Sequence, residues 1–187
     1  MRVVLRALAV TAALAIVTTE LTATLSTAWA HGPTRRKVQQ QVTINAEPAK
    51  VWAAVGSFQD MGWLGLVAKT EGDKGNEIGA TRRLTLKNGA TVDEELYKYD
   101  SEKMSYSYRI TAVDVKVLPV TNYSSTITVS PGADGKGSVV EWAGAFYRGY
   151  PNNDPPPELN DETAINAVTG LYHDGLEGLK TKIESGS

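Results

Sequence analysis

An α+β fold is predicted for this chain, with a β-rich middle of six or seven strands, a short helix near its start and one long helix at its end. Three observations predict it. Val38, Gln40, Val42 and Ile44 alternate and run into Ala46-Glu47-Pro48-Ala49-Lys50-Val51-Trp52. Pro48 there suits a first helical turn, because its ring fixes φ and its missing N–H would have no helical partner anyway. Strand-like runs then recur at regular spacing between turn signals. From Asn160 to Ser185, Ile165, Val168, Tyr172, Leu176, Leu179 and Ile183 follow three- and four-residue steps, the stripe of one amphipathic helix. A helix at each end of a sheet predicts a cavity between them.

After the first helix, Phe58-Gln59-Asp60-Met61-Gly62-Trp63-Leu64 is too short for another long helix and reads as a helical turn. The strands are expected near Leu66 to Glu71, Ile78 to Leu86, Ala90 to Tyr99, Met104 to Val113, Tyr123 to Val129 and Val139 to Tyr147. Turn chemistry separates them at Gly72-Asp73-Lys74-Gly75, Asn88-Gly89 and Pro131-Gly132-Ala133-Asp134-Gly135. Strand alternation puts Met104, Tyr106, Tyr108 and Ile110 on one face, as it does Tyr123, Ser125, Ile127 and Val129. Val140, Trp142 and Phe146 likewise share a face, with Gly144 between them, and all three faces are expected to look toward the final helix. Gly170, Gly175 and Gly178 each lower that helix's propensity by roughly 1 kcal/mol relative to Ala. Either close backbone approach or room for a ligand would explain them.

Residues 1–30 read as a secretory signal: basic Arg2 and Arg6, an apolar stretch from Ala7 to Val17, and small residues before Ala28-Trp29-Ala30. Glu20 and the Thr-rich stretch after it break the apolar run well short of the about 20 residues a membrane span needs, so an uncleaved anchor is the weaker reading. Cleavage leaves residues 31–187 as a single domain, a common size for one core. The formal charge of −2 becomes one unit more negative on cleavage, which gives no basis for nucleic-acid binding. The chain has no cysteine, which excludes disulfides, Cys-ligated zinc, iron–sulfur clusters and thiol chemistry.

The cassette Ile44-x-Ala46-x-Pro48-x-x-Val51-Trp52 resembles the opening of the SRPBCC superfamily, the START-like, polyketide cyclase-like helix-grip domains. That resemblance implies a curved antiparallel sheet wrapped around the long C-terminal helix. Further stretches are similar to its MxaD-like branch: His31-Gly32-Pro33-Thr34, the turn from Phe58 to Leu64, Val117-Leu118-Pro119-Val120-Thr121-Asn122-Tyr123-Ser124-Ser125-Thr126, and Gly144-Ala145-Phe146-Tyr147-Arg148-Gly149-Tyr150. Asn152 to Glu162 and Ala167 to Tyr172 extend the likeness over nearly the whole of residues 31–187. It implies a periplasmic location and assistance to methanol oxidation by a dehydrogenase and its cytochrome partner. No cofactor is expected.

Glu94 is the charged residue of most interest. If Lys87-Asn88-Gly89 forms a three-residue hairpin loop with Gly89 left-handed, Leu84 faces Val92 and Arg82 faces Glu94, all inward. If Asn88-Gly89 is a two-residue turn, Glu94 faces Arg83 instead. An inward pair would orient a polar ligand group, or Glu94 would act as a base if burial raised its pKa; the competing reading is a structural or rim ion pair. Trp63, Tyr97, Tyr99, Tyr106, Tyr108, Trp142, Tyr147 and Tyr172 form an aromatic constellation whose polar tips suit a small organic ligand, against the alternative of simple core. The expected ligand contacts are Trp63, Arg82, Glu94, Tyr106, Tyr108, Trp142 and Tyr172. In the rival reading, a cyclase- or dehydratase-like enzyme, Glu94 and Tyr108 are the catalytic pair.

The Pro-rich segment from Arg148 to Leu159 suggests a docking surface flanked by Tyr147, Arg148 and Tyr150, or a stiff crossover that sets the helix angle. Cleavage after Ala30 would expose His31 as an N-terminal amine and imidazole, the start of a copper brace. Such a brace needs a second histidine, and His173, beside Asp174 on the final helix, reads as solvated, so a metal at His31 is the least favoured reading. No Gly-x-Ser-x-Gly elbow, HExxH pair or phosphate-binding glycine loop occurs. The Asn122-Tyr123-Ser124 sequon reads as chance, since the resemblance implies a bacterial periplasm. The sequence therefore favours a non-catalytic periplasmic protein that binds a small hydrophobic or amphipathic molecule, assists an oxidation system, or does both.

Overall fold

The computed structural model of the chain describes residues 32–133 and 135–186. The expected signal segment and His31 lie outside the described residues. The elements run β1 (Arg36–Ile44), α1 (Pro48–Val55), β2 (Val67–Gly72), β3 (Thr81–Leu86), β4 (Thr91–Asp100), β5 (Ser105–Val113), β6 (Val120–Pro131), β7 (Ser138–Arg148), a 3-10 turn (Pro157–Leu159) and α2 (Asp161–Glu184). The seven strands form one antiparallel sheet in the order β1-β7-β6-β5-β4-β3-β2. The first strand pairs with the last from Arg36↔Phe146 to Ile44↔Ser138, so chain ends far apart in sequence are joined before α2 returns across the sheet. The predicted α+β helix-grip arrangement is what the structure shows.

Local chemistry explains the helix ends. Pro48 occupies the first turn of α1, and Gly56 follows it, where a Cβ would run into the indole of Trp52. Asn160 caps α2 through Oδ1, which accepts from Thr163 N at 2.8 Å, while Asp161 and Glu162 set negative charge on its N-terminal dipole. The stripe buried by α2 includes Val168, Tyr172, Leu176, Leu179 and Ile183; Ala164 is fully buried where the stripe began with Ile165, which is half-buried. Gly175 is the close-approach glycine, since a Cβ there would press on Leu64 and Trp142. Gly170 and Gly178 have open space around that position.

The β3–β4 hairpin takes the three-residue alternative. Leu86 N donates to Ala90 O at 2.8 Å, Gly89 sits at φ +84°, and Asn88 Oδ1 accepts from Ala90 N at 3.0 Å. Arg82 therefore pairs with Glu94 on the inner face, and Arg83 with Asp93 on the outer face through two hydrogen bonds of 2.6 and 2.7 Å. Two irregularities re-aim other side chains. Tyr97, next to inward Leu96, points outward and is 42% exposed, which corrects its place in the aromatic constellation, while a register shift between Leu96 and Lys98 brings Tyr99 inward against Trp52. On β6 a second shift, with Asn122 at φ +48°, lets Val120 face the core as well as Tyr123.

Candidate functional site

A cavity of about 260 Å³ lies between the sheet and α2. Its wall is largely aliphatic: Leu64 and Leu66 follow α1, Leu84, Leu86 and Val92 come from the β3–β4 hairpin, and Ile110 from β5. Val117 and Leu118, in the β5–β6 connection, and Ala167 and Leu171, on α2, complete it. Polar chemistry enters through Glu94, Tyr108, Tyr123 and Trp142.

Glu94 is held by Arg82, whose Nε donates to Oε2 at 2.6 Å. The Arg82 side chain is fully buried; its Nη1 donates to Phe58 O at 2.7 Å, and its guanidinium lies 4.2 Å from the Phe58 ring centroid and 5.0 Å from that of Tyr108. Burial pushes the Glu94 carboxyl above its ordinary value and the Arg82 charge pulls it back. Glu94 Oε1 makes no hydrogen bond among the described residues. Arg82 Nη2 and the Tyr106 hydroxyl beside it are buried without a partner of good geometry.

A phenol cluster adjoins the ion pair. The Tyr123 and Tyr172 hydroxyls meet at 2.6 Å, Trp142 Nε1 donates to Ser125 Oγ at 3.2 Å, and Tyr172 stacks on Trp142 with centroids 4.3 Å apart and planes at 14°. Gly144 makes room for this, because a Cβ there would overlap the Tyr172 hydroxyl. Burial pushes the Tyr106 hydroxyl up to about 12 and raises those of Tyr108, Tyr123 and Tyr172 well above their ordinary value. All four stay neutral at physiological pH and can donate hydrogen bonds.

Of the seven expected ligand contacts, Glu94, Tyr108 and Trp142 stand on the cavity wall. Arg82, Tyr106, Trp63 and Tyr172 are buried and do not line it: Arg82 braces Glu94, Tyr172 backs Trp142, and Trp63 meets Trp142 edge-on at 5.4 Å. Sequence reasoning placed Tyr123 on an inward strand face but left it out of the site. Its signal was that alternation. The aliphatic wall had no signal of its own, because a leucine facing a cavity reads like any core leucine.

The expected docking flank needs correction at Arg148. That side chain is buried, with Nε on Tyr150 O at 2.9 Å, Nη2 on Asn152 O at 2.7 Å and Nη1 on Asp161 Oδ2 at 3.1 Å. All three nitrogens organise the loop, so it is not an exposed anchor. Tyr147 is half-buried, with Arg35 5.8 Å from its ring, and Tyr150 is half-buried. Among the described residues no three His, Asp or Glu side chains group to hold a metal ion, and His173 is exposed on α2. No helix of the described residues is long and apolar enough to cross a membrane.

Comparison with solved structures finds the protein XoxI of Bacillus cereus, 32% identical over 78% of this chain and 93% of that one, with a TM-score of 0.65. An uncharacterised Bacillus thuringiensis protein is similar at 31% identity, over 78% of this chain and 97% of its own, with a TM-score of 0.66. Norcoclaurine synthase of Thalictrum flavum, 16% identical over 81% of this chain and 87% of its own with a TM-score of 0.60, shares the fold. No curated protein gives a significant match. The family model described as polyketide cyclase / dehydrase and lipid transport matches residues 35–184, from the start of β1 to the end of α2. The chain belongs to this family, within the SRPBCC superfamily.

Proposed function

We propose that this protein is a non-catalytic binder of one small hydrophobic or amphipathic molecule. The carrying observation is the aliphatic cavity of about 260 Å³ with Glu94 and Tyr108 on its wall. Small-molecule sites are mostly apolar with a few convergent polar groups, and this volume is near the roughly 300 Å³ lower end of their range, so the ligand is small. We further propose that the protein acts in the periplasm, where it supports an oxidation system; this rests on the signal-like residues 1–30 and on the MxaD-like stretches. Native mass spectrometry of the protein extracted from its own cells tests the binding role. One organic molecule per chain is the expected result. Preparations that are always empty, and that take up nothing from a whole-cell extract, would remove it. The accessory role predicts that added protein raises the turnover of a periplasmic methanol dehydrogenase with its cytochrome, and unchanged turnover would remove that part.

A catalytic reading has one observation in its favour, the buried Glu94 carboxyl beside the Tyr108 phenol on a single wall. Glu94 would serve as base and Tyr108 as proton donor in a cyclase- or dehydratase-like step. Its geometry is poor for a base, because Arg82 at 2.6 Å stabilises the carboxylate and so weakens its pull on a proton. Full turnover of an identified substrate by Glu94→Gln would exclude this reading.

A further inference from the structure

The polar chemistry of the cavity is one-sided. Glu94 is the one charged side chain on its wall among the described residues, with Oε2 committed to Arg82 and Oε1 left as an acceptor without a donor. The positive charge that balances it is out of reach: the Arg82 side chain has no exposed surface, lies between the rings of Phe58 and Tyr108, and spends Nη1 on the Phe58 carbonyl. An anion entering the cavity would meet a carboxylate and hydrocarbon, with no guanidinium or ammonium to receive it. A cation would lose its hydration to an aliphatic wall and sit close to the buried Arg82 charge. Neither ion recovers the several kcal/mol that such desolvation takes.

An uncharged hydrogen-bond donor fits both constraints. Its O–H satisfies Oε1, a charge-assisted bond in an apolar site, and its oxygen accepts from a neutral phenol on the wall, Tyr108 or Tyr123. We propose that the cavity selects a small neutral alcohol or phenol on an apolar body, received at Glu94 Oε1, and rejects carboxylates. The inference rests on the binding role proposed above and adds the chemical class to it.

Calorimetric titration of the protein at neutral pH with benzyl alcohol, toluene, benzoate and benzylamine tests it, since the four share a ring and differ in one group. Benzyl alcohol is expected to bind at least about tenfold more tightly than each of the others, the ratio for one hydrogen bond to a charged group. Glu94→Gln is expected to reduce that preference about tenfold while toluene binding is kept, and Tyr108→Phe to reduce it less. Benzoate binding as well as the alcohol, or toluene matching it, would overturn the selectivity and leave the binding role standing. Failure of all four to bind would overturn the proposed class, while the native preparation decides the binding role separately.

Discussion

Replacing Arg82 by Met removes the counter-charge of a carboxylate that is itself almost fully buried. Removing one partner of such a pair costs about 3–5 kcal/mol. The Phe58 carbonyl also loses its 2.7 Å donor, so the upper part of that range is expected. For a domain of this size the loss corresponds to a drop of roughly 6–20 °C in Tm. Glu94→Leu alone leaves the guanidinium unpaired and is expected to fall in the same range. The double variant, Arg82→Met with Glu94→Leu, carries neither charge of the pair; the Phe58 carbonyl loses its donor, and the expected cost is about 1–3 kcal/mol. Urea unfolding of the four proteins closes the cycle, and the double variant should be more stable than either single one. Arg82→Met within about 1 kcal/mol of the parent, or a double variant as unstable as the two losses added, would refute the coupling inferred from the geometry.

Other expectations follow from single contacts. Gly170→Ala and Gly178→Ala, where a Cβ meets nothing, should each stabilise by up to about 1 kcal/mol through helix propensity, whereas Gly175→Ala should not, because its Cβ would press on Leu64 and Trp142. Thermal melts of the three variants check this contrast. Gly144→Ala should cost about 1–3 kcal/mol, since the Tyr172 hydroxyl it displaces is pinned by Tyr123 and by stacking on Trp142; pairing it with Tyr172→Phe should recover part of the loss. Asp161 is held below its ordinary value first by the Arg36 guanidinium, whose Nε lies 3.2 Å from Oδ1, with Arg148 adding to the effect. A depressed carboxyl stabilises the fold above its unfolded value, and that contribution is lost as pH falls through the folded value. Between about pH 5 and pH 2 the parent should therefore lose more stability than Asp161→Asn, read by circular dichroism at matched pH.

The sheet and α2 were legible because their signals are periodic and their ends carry specific chemistry. Val38 to Ile44 alternates, Pro48 opens a helix, and Asn160 caps another. The hairpin register was legible only as two alternatives; the left-handed Gly89 and the Asn88 side chain on Ala90 N decide it, and with it the Arg82–Glu94 pair. Alternation from inward Val92, Glu94 and Leu96 already points Tyr97 outward, so it did not belong in the constellation, whereas Tyr99 is inward only through a bulge that nothing in Leu96-Tyr97-Lys98 announces. Arg148 was misjudged because a cation beside a proline-rich loop reads as exposed. Its burial depends on the carbonyls of Tyr150 and Asn152 curling back over it, a feature of the loop's path that local composition does not encode. The cavity wall shows the same limit, for Leu84 and Leu179 are alike in sequence and only three-dimensional packing puts one beside open volume and the other in solid core.

These threads meet in one picture: an antiparallel sheet closed by β1 against β7, a helix laid across it, and between them an apolar volume with a braced carboxylate and neutral phenols. Ala167, on the α2 side of that volume, offers a direct test. Ala167→Phe would project a ring into the cavity and take up part of its volume. Ligand occupancy of parent and variant is read side by side by native mass spectrometry, with thermal melts confirming that both are folded. If the cavity is the binding site, the variant folds with a Tm close to the parent's and carries no ligand; a folded variant that retains the parent's full complement would contradict the account.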